Sequence, residues 1–418
     1  MEFTNQLDLI SESSGVTFAY VVFTILKLFV ALVICLVALL VYKFVISPVL
    51  IRRKYRKYSN MHQTESLQLW KGDLATMEEN IEKKAFTYWH YAEIAMQKEK
   101  KYDFCLKFYG PMPLYVIFSP KAIREVIQMM PNKIDREESY FNQIFGKIFL
   151  ESFLLERSND NWKHRRNTVF KTLGINFSSK FIPLLLKCFD DVVSTWKVGP
   201  LDFTERFAEC QFLFSCKMLF GDDFTLETDD FNYLHANGQY EKMNMRKIFI
   251  LIGADMFAGM YHPIGNIFLS AGVYNLCNPY KRTMENVREL ERGLKHFLEH
   301  TTDESNSYYA QVKKMNAFTE RELISDLLLI LFAGTDTSSH TTASLMYYID
   351  KYPEVKEKCM KEFLSQGVIA AQGLQRNKMT LEILDTCEYS DCTIKETMRL
   401  DHILSESFAI EALEDVQI

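Results

Sequence analysis

The sequence predicts a mainly α-helical protein with a small β-sheet region, preceded by one transmembrane helix. Three observations lead to this fold class. An apolar run covers residues 18–42 and contains one charge, Lys27. A helical pattern starts at a capping box, TERE at 319–322, and meets no proline until Pro353. A short apolar run at 114–118, flanked by prolines, has the length of a β-strand.

Composition narrows the classes of protein to consider. The chain has 418 residues, of which 48% are hydrophobic and 14% aromatic, enough for a large buried core. Its net charge is −6, so no basic excess favours a nucleic-acid partner. Nine cysteines are scattered without a C-x-x-C pair, which is typical of buried free thiols in a reducing compartment.

The apolar run at 18–42 is long enough to cross a bilayer as a helix. Lys27 costs roughly 2.5–3.5 kcal/mol at mid-depth, and the surrounding apolar residues outweigh this cost. Acidic but no basic residues precede the run, and basic residues follow it: Lys43, Arg52, Arg53, Lys54, Arg56 and Lys57. The positive-inside rule therefore places the main domain in the cytosol. A cleaved signal peptide fits poorly, because its first segment would be basic.

This pattern predicts four segments along the chain. They are a non-cytosolic segment (1–17), a transmembrane anchor (18–42), a basic linker (43–60) and one large domain (61–418).

A basic stretch, WKHRR at 162–166, is the first candidate site. Trp162 and Arg166 are four residues apart, so they share one face of a helix. An indole N–H and a guanidinium on one face suit a carboxylate or a phosphate. A solvated basic face with a tryptophan tucked beneath it has the same spacing, and both interpretations stay open.

The second candidate site lies on the long helix that starts near Thr319. It covers about 30 residues, or roughly 45 Å, and is apolar on every side at 327–333, so it should cross the middle of the domain. Asp336 follows this run among hydroxyl residues, and we expect it to be buried. A buried carboxylate is costly unless it is paired, protonated or used.

Gly334 and the neighbouring threonines and serines predict a local opening of this helix. A flat ligand could lie against the opening, where Asp336 and Thr337 would form a proton relay of acid and hydroxyl. The alternative is a place where small residues let two helices pack closely.

Two further patterns have ordinary explanations. Glu396 and Arg399 are three residues apart on a predicted helix. They would form either a surface ion pair or a buried structural pair. HFLEH at 296–300 matches the H-x-x-E-H pattern of some zinc proteases, but no third ligand follows and its neighbours are those of a solvated helix.

Taken together, these segments resemble the cytochrome P-450 family of haem-thiolate monooxygenases. AGTDTS (333–338) resembles the family's oxygen-activation motif, ETMR (396–399) its E-x-x-R, and WKHRR its W-x-x-x-R. The anchor with its basic stop is similar to that of microsomal members. The resemblance therefore implies a cytochrome P-450-like fold.

The resemblance also implies roles for the candidate residues. Asp336 and Thr337 would deliver protons during oxygen activation. Trp162 and Arg166 would bind the propionates of haem b, and Ala333 and Gly334 would border it. Glu396 and Arg399 would hold the core near the cofactor.

The same resemblance implies partners and a location. The reaction would insert one oxygen atom of dioxygen into an apolar small molecule, with electrons from a reductase. The chain would be a single-pass protein of the endoplasmic reticulum membrane with a cytosolic main domain.

One family feature is missing from the sequence. The axial cysteine lies in F-x-x-G-x-R-x-C-x-G after E-x-x-R, but no cysteine follows Arg399. We therefore expect a chain without its C-terminal haem-ligand segment, without a metal ligand of its own, and inactive in the family reaction. The alternative is a haem-free, membrane-anchored remnant or a protein that binds apolar ligands.

Overall fold

The structure, a computed structural model, confirms the predicted fold class: it is mostly helical with small sheets. It describes residues 2–63, 72–73, 102–137, 152–222, 224, 231–261, 278–300, 306–316, 318–401, 403 and 409–417. The chain forms two compact units, one up to Ile127 and one over Gln128–Gln417.

The first unit begins with a long helix. Its elements are α1 (Glu2–Val41), a π-helix (Tyr42–Ile46), α2 (Ser47–Tyr55), β1 (Met61–Gln63), β2 (Phe104–Tyr109), β3 (Met112–Ile117) and most of α3 (Pro120–Met129). From Val21 onward this helix is long and apolar enough to cross a membrane, and its side chains there are exposed. Helix therefore continues into the predicted basic linker as far as Tyr55.

The three strands of this unit form one sheet. β1 pairs with β2 in parallel, and β2 pairs with β3 antiparallel across a tight turn at Gly110, whose φ is +59°. A positive φ favours glycine because it has no Cβ. On β2, Leu106 and Phe108 are 1% exposed, so this strand forms the core of the unit.

The second unit holds the other α-helices and strands of the described residues. They are β4 (Ile134–Arg136), α4 (Asp160–Thr172), α5 (Ile175–Ser178), α6 (Ile182–Val193), α7 (Phe203–Phe220), β5 (Phe231–Leu234), β6 (Tyr240–Met243), α8 (Met245–Tyr261), α9 (Asn278–His300), α10 (Tyr308–Met315), α11 (Glu320–Lys351), α12 (Pro353–Ser365), β7 (Ile369–Ala370), β8 (Gly373–Leu374), α13 (Leu381–Leu384), α14 (Glu388–Leu400) and β9 (Ile410–Ala412).

Helix α11 is the centre of this unit, as predicted. The Thr319 side chain accepts from the Glu322 amide, and the Glu322 carboxylate accepts from the Thr319 amide at 2.9 Å, which completes the capping box. The first half of α11 packs along α7, with Leu327 and Leu331 fully buried. The helix runs unbroken past Gly334, so the predicted opening is absent.

Small antiparallel pairs complete the unit. β4 pairs with β9, β5 with β6, and β7 with β8. Each pair is too short to be stable alone, so each depends on neighbouring elements. The amide of Leu234 on β5, for example, donates to the Asn286 side chain on α9 at 2.7 Å.

Gly293 on α9 is a place where the packing admits no side chain. A Cβ there would lie 2.1 Å from a ring carbon of Phe231 on β5, whereas a Cβ at Gly253 on α8 would meet Phe332 at an ordinary 3.6 Å. Both glycines lie inside helices, where alanine is intrinsically favoured by about 1 kcal/mol.

We therefore expect Gly293→Ala to lower the free energy of unfolding by about 1–3 kcal/mol, because the buried Phe231 ring must move. Gly253→Ala, the matched control, should be neutral or stabilising. Urea unfolding of both variants measures the difference. Equal effects of the two substitutions would mean that the Phe231 contact is not restrictive.

Candidate functional site

The predicted proton relay lies on the second half of α11. The prediction that Asp336 is buried is wrong, because its side chain is 63% exposed. Its carboxylate lies 3.4 Å from Nδ1 of His340, one turn later. Asp336 lies on an exposed face of the helix, although Thr335 and Ser339 on another face of the same stretch are buried, so the acid points to solvent. The Thr337 hydroxyl donates to the Ala333 carbonyl oxygen at 2.7 Å. Ala333 is exposed, and Gly334 is half-buried.

The buried acid of α11 is Asp326, ten residues earlier. Its side chain is 1% exposed and receives the Nη2 of Arg165 at 2.8 Å, the Nε of Arg165 at 3.3 Å and the Phe153 amide at 2.9 Å. Burial raises the pKa of the Asp326 carboxyl to about 6, while the Arg165 charge and the Phe153 amide act in the opposite direction. The carboxylate is therefore ionised above that pH and accepts three hydrogen bonds.

Arg165 fastens α4 to α11. Its side chain is 2% exposed, and its guanidinium also lies 3.5 Å from the Glu156 carboxylate and 3.6 Å from that of Glu322. This joins α4 to α11 three turns, roughly 15 Å, before Asp336. Sequence reasoning missed the pair, although Arg165 falls in helical register with the buried Val169 and Asp326 interrupts an apolar run.

Trp162 and Arg166 meet on the outer part of α4, as their spacing predicts. The Arg166 guanidinium lies 5.6 Å from the Trp162 ring centroid, and the Arg136 guanidinium lies over the same ring at 4.4 Å. The Trp162 ring nitrogen is buried and has no hydrogen-bond partner among the described residues. We call Arg136, Trp162 and Arg166 the cationic cluster.

The electrostatics of the cationic cluster favour an anion. Burial lowers the pKa of the Arg136 guanidinium, Asp135 opposes this shift, and the charge of Arg166 adds to it. A buried N–H donor without a partner is costly. A carboxylate placed here would neutralise two guanidinium groups and accept from the indole.

Arg136 was not found from the sequence, because it reaches the cluster from a strand 26 residues before Trp162. Its strand β4 is held against β9, with Asp135 opposite Glu411. Ion pairs fasten both sides of this small sheet: Lys133 with Glu414 at 2.9 Å, and Arg157 with Glu411. The Arg136 guanidinium also donates to the Ser158 hydroxyl at 3.1 Å.

Glu396 and Arg399 form the predicted ion pair on α14. Two hydrogen bonds of 2.7 and 2.6 Å join them, and both side chains are more than half exposed. Hydrogen bonding and the charge of Arg399 lower the pKa of Glu396. Of the two arrangements predicted, the described residues show the surface pair.

The same helix begins with a cap from another helix. The Glu362 carboxylate on α12 accepts the amides of Tyr389 and Ser390 at 2.8 Å each, at the first turn of α14. These bonds fix where the Glu396–Arg399 pair stands relative to α12.

Two groups of side chains bear on metal binding. No cluster of three His, Cys, Asp or Glu suited to a metal occurs in the described part of the chain. Of the H-x-x-E-H stretch, the side chain of His300 lies outside the described residues. Burial raises the pKa of the thiols of Cys188, Cys210 and Cys216, that of Cys210 to about 12, which disfavours the thiolate that ligates metals.

Comparisons with known proteins agree with the motifs. The family model described as Cytochrome P450 matches residues 87–418. The chain is 24% identical to Cytochrome P450 2B9 of Mus musculus over 345 residues, covering 76% of this chain and 64% of that protein. It is 22% identical to Cytochrome P450 3A6 of Oryctolagus cuniculus over 326 residues, covering 71% and 60%.

A shorter match has a higher sequence identity. Over 116 residues the chain is 31% identical to Cholesterol 22-hydroxylase CYP90B27 of Paris polyphylla, covering 27% of this chain and 23% of that protein. The chain spans less than two thirds of the length of the mouse and rabbit relatives.

Proposed function

The chain belongs to the cytochrome P450 family. We therefore propose that it is part of a membrane-anchored monooxygenase, and that it supplies the residues that bind the haem propionates and the residues that transfer protons. The reaction inserts one oxygen atom of dioxygen into an apolar organic substrate, and a reductase supplies the electrons. The observation that carries this proposal is the cationic cluster, with its buried and unpartnered indole nitrogen.

The cluster fits the propionates of haem b. The Trp162 N–H would donate to a propionate carboxylate, and Arg166 and Arg136 would provide charge-assisted hydrogen bonds to it. Arg165 and Asp326 hold α4 against the central helix beneath this cluster. The fixed backbone of α4 then sets where the carboxylates lie.

Haem, when bound, supplies an iron centre that activates dioxygen. The Asp336 carboxyl is exposed to water, and the next residue, Thr337, carries a hydroxyl. Since the Thr337 O–H donates to the Ala333 carbonyl, its oxygen is free to accept a proton from a donor. Asp336 would supply the proton, and Thr337 would donate its own hydroxyl proton onward as it accepts this one, once its O–H turns away from the Ala333 carbonyl. The exposed His340, 3.4 Å from the Asp336 carboxylate, would link the acid to solvent.

Residues 1–418 do not supply the axial thiolate ligand of the family. No cysteine of residues 1–418 lies in F-x-x-G-x-R-x-C-x-G. A thiolate ligand favours O–O cleavage, so we propose that residues 1–418 alone do not perform the family reaction. This observation favours a second candidate, a haem-free anchored protein that binds apolar ligands.

The membrane part of the proposal rests on α1 and the basic residues after it. The exposed apolar helix from Val21 onward crosses the bilayer once. By the positive-inside rule, the main domain lies in the cytosol. The likeness of the anchor and its basic stop to those of microsomal family members supports the membrane of the endoplasmic reticulum.

Metal-free protoporphyrin IX tests the cationic cluster without any need for an axial ligand. The full chain in lipid nanodiscs should bind it saturably, as read from the porphyrin's absorbance. We expect Trp162→Phe and Arg166→Gln each to weaken binding about tenfold or more, because a charge-assisted hydrogen bond is lost. Arg166→Lys should recover part of the affinity.

Arg288→Gln is the control, because it removes an exposed arginine charge from another helix, α9. Equal losses in Arg288→Gln and Arg166→Gln would contradict the proposed cluster. Binding of an apolar dye without any binding of the porphyrin would instead support the second candidate.

A further inference from the structure

The segment after the apolar helix is folded against the first sheet. Phe44 on the π-helix and Pro48 on α2 are buried. The Tyr55 ring, near the end of α2, meets the Tyr115 ring of β3 edge-on at 5.3 Å. The Gln63 side chain on β1 donates to the Arg52 carbonyl oxygen at 3.3 Å. These contacts give residues 44–58 a defined inner face.

The outer face of the same helix is apolar. Ile46, Val49 and Leu50 are 43%, 48% and 51% exposed. They are three and four residues apart, so they form one stripe, and Arg53 continues it. An exposed apolar stripe directly after a bilayer-length helix is suited to the boundary between acyl chains and headgroups.

Cations cluster where the stripe ends. Arg53, Lys54, Arg56 and Lys57 are all exposed. No aspartate or glutamate occurs between Glu12 and Glu65, so the segment that carries these cations contributes no acid of its own. Arg53 follows Leu50 by about 5 Å along the helix axis, which lies within the headgroup layer.

Two tyrosines hold the cations in place. The Lys54 ammonium lies 5.5 Å from the Tyr55 ring, and the Lys57 ammonium lies 5.1 Å from the Tyr58 ring. Tyrosine is enriched at the membrane–water interface. Because the helix is docked through Tyr55, the cations stand on a folded surface and lose less conformational freedom on binding.

We propose that residues 46–58 form a binding surface for anionic phospholipid headgroups in the leaflet that faces the main domain. This rests on the proposed membrane anchorage. The apolar stripe inserts at the level of the upper acyl chains, and the four cations bind headgroup phosphates and carboxylates. A lipid fits better than a soluble anion, because the apolar stripe adjoins the cations.

Spin-labelled lipids test this surface in vesicles that contain the full chain. The fraction of label that the chain restrains gives the preference for phosphatidylserine over phosphatidylcholine. We expect a preference of about fivefold or more, falling to near one in the variant Arg53→Gln/Lys54→Gln/Arg56→Gln/Lys57→Gln. High salt should reduce the native preference.

Two controls separate charge at this surface from charge in general. A variant that neutralises four exposed lysines of the second unit should keep the native preference: Lys187→Gln, Lys314→Gln, Lys356→Gln and Lys378→Gln. Lys54→Arg/Lys57→Arg retains the charge and should also keep it.

The outcomes distinguish this inference from the anchorage beneath it. A native chain that floats with neutral vesicles but shows no lipid preference overturns the lipid surface alone. A preference lost equally in the second-unit variant does the same. A chain that floats with no vesicle overturns both the anchor and the lipid surface.

Discussion

Replacing Arg165 by methionine is expected to lower the free energy of unfolding at pH 8 by about 3–5 kcal/mol, because it leaves the Asp326 carboxylate buried without its partner. Arg165 and Asp326 are 2% and 1% exposed, so water cannot replace the lost contact. Urea unfolding of the full chain in nanodiscs measures the change.

The same substitution should cost less at low pH. The folded-state pKa of Asp326, about 6, lies above its ordinary value. Its contribution to stability is therefore fully present below about pH 4 and is lost as the pH rises through about 6. Without Arg165 the pKa rises further. At pH 5 both chains carry a protonated Asp326, so we expect a cost of only about 1–2 kcal/mol from lost hydrogen bonds.

Two variants serve as controls for the charge. Arg166→Met removes the adjacent, exposed guanidinium and should change stability by less than about 1 kcal/mol. Arg165→Met/Asp326→Leu removes both buried charges and should recover most of the loss. An Arg165→Met chain as stable as Arg166→Met at pH 8 would show that the buried pair does not stabilise the fold.

Asp255→Asn is expected to loosen the β5–β6 hairpin. The Asp255 carboxylate on α8 accepts from the Tyr233 hydroxyl on β5 at 2.7 Å and from Arg282 on α9 at 2.5 Å. The side chains of Asp255 and Arg282 are 18% and 16% exposed. Loss of the charge leaves a largely buried guanidinium without a counter-ion, at a cost of about 3 kcal/mol.

Hydrogen exchange gives a local measure of this effect. We expect amide protection in Phe231–Met243 to fall about 100-fold, with α11 amides unchanged, because a two-stranded hairpin depends on its neighbours. Glu241→Gln is the control, since it alters only the exposed His235–Glu241 contact of 2.8 Å. A uniform loss of protection, in which α11 amides exchange faster too, would contradict a local role.

Local signals predicted the main elements well. Thr319 and Glu322 mark the start of α11 because a capping box needs only four adjacent residues, and Pro353 marks the next helix by its fixed backbone. The β4–β9 pair carried no comparable signal. Three-residue strands so far apart in the chain form only through the surrounding fold.

The candidate site was predicted only where its residues lie close together in the sequence. Trp162 and Arg166 share a helix, so their spacing predicts their contact. Arg136 joins them from another element, and no spacing rule reaches it. Asp336 was expected to be the buried acid because an apolar run precedes it, but it falls on an exposed face of α11. Asp326 lies within Leu323–Leu329, where every residue is buried.

The pairing of β4 with β9 has a consequence for the order of folding. Arg136 stands on a strand whose partner, Ile410–Ala412, is made roughly 270 residues later. At about 5–20 residues per second, a ribosome needs roughly 14–55 s to reach it. The strand that carries Arg136 therefore stays unpaired with β9 while all of α4 and α11 are synthesised.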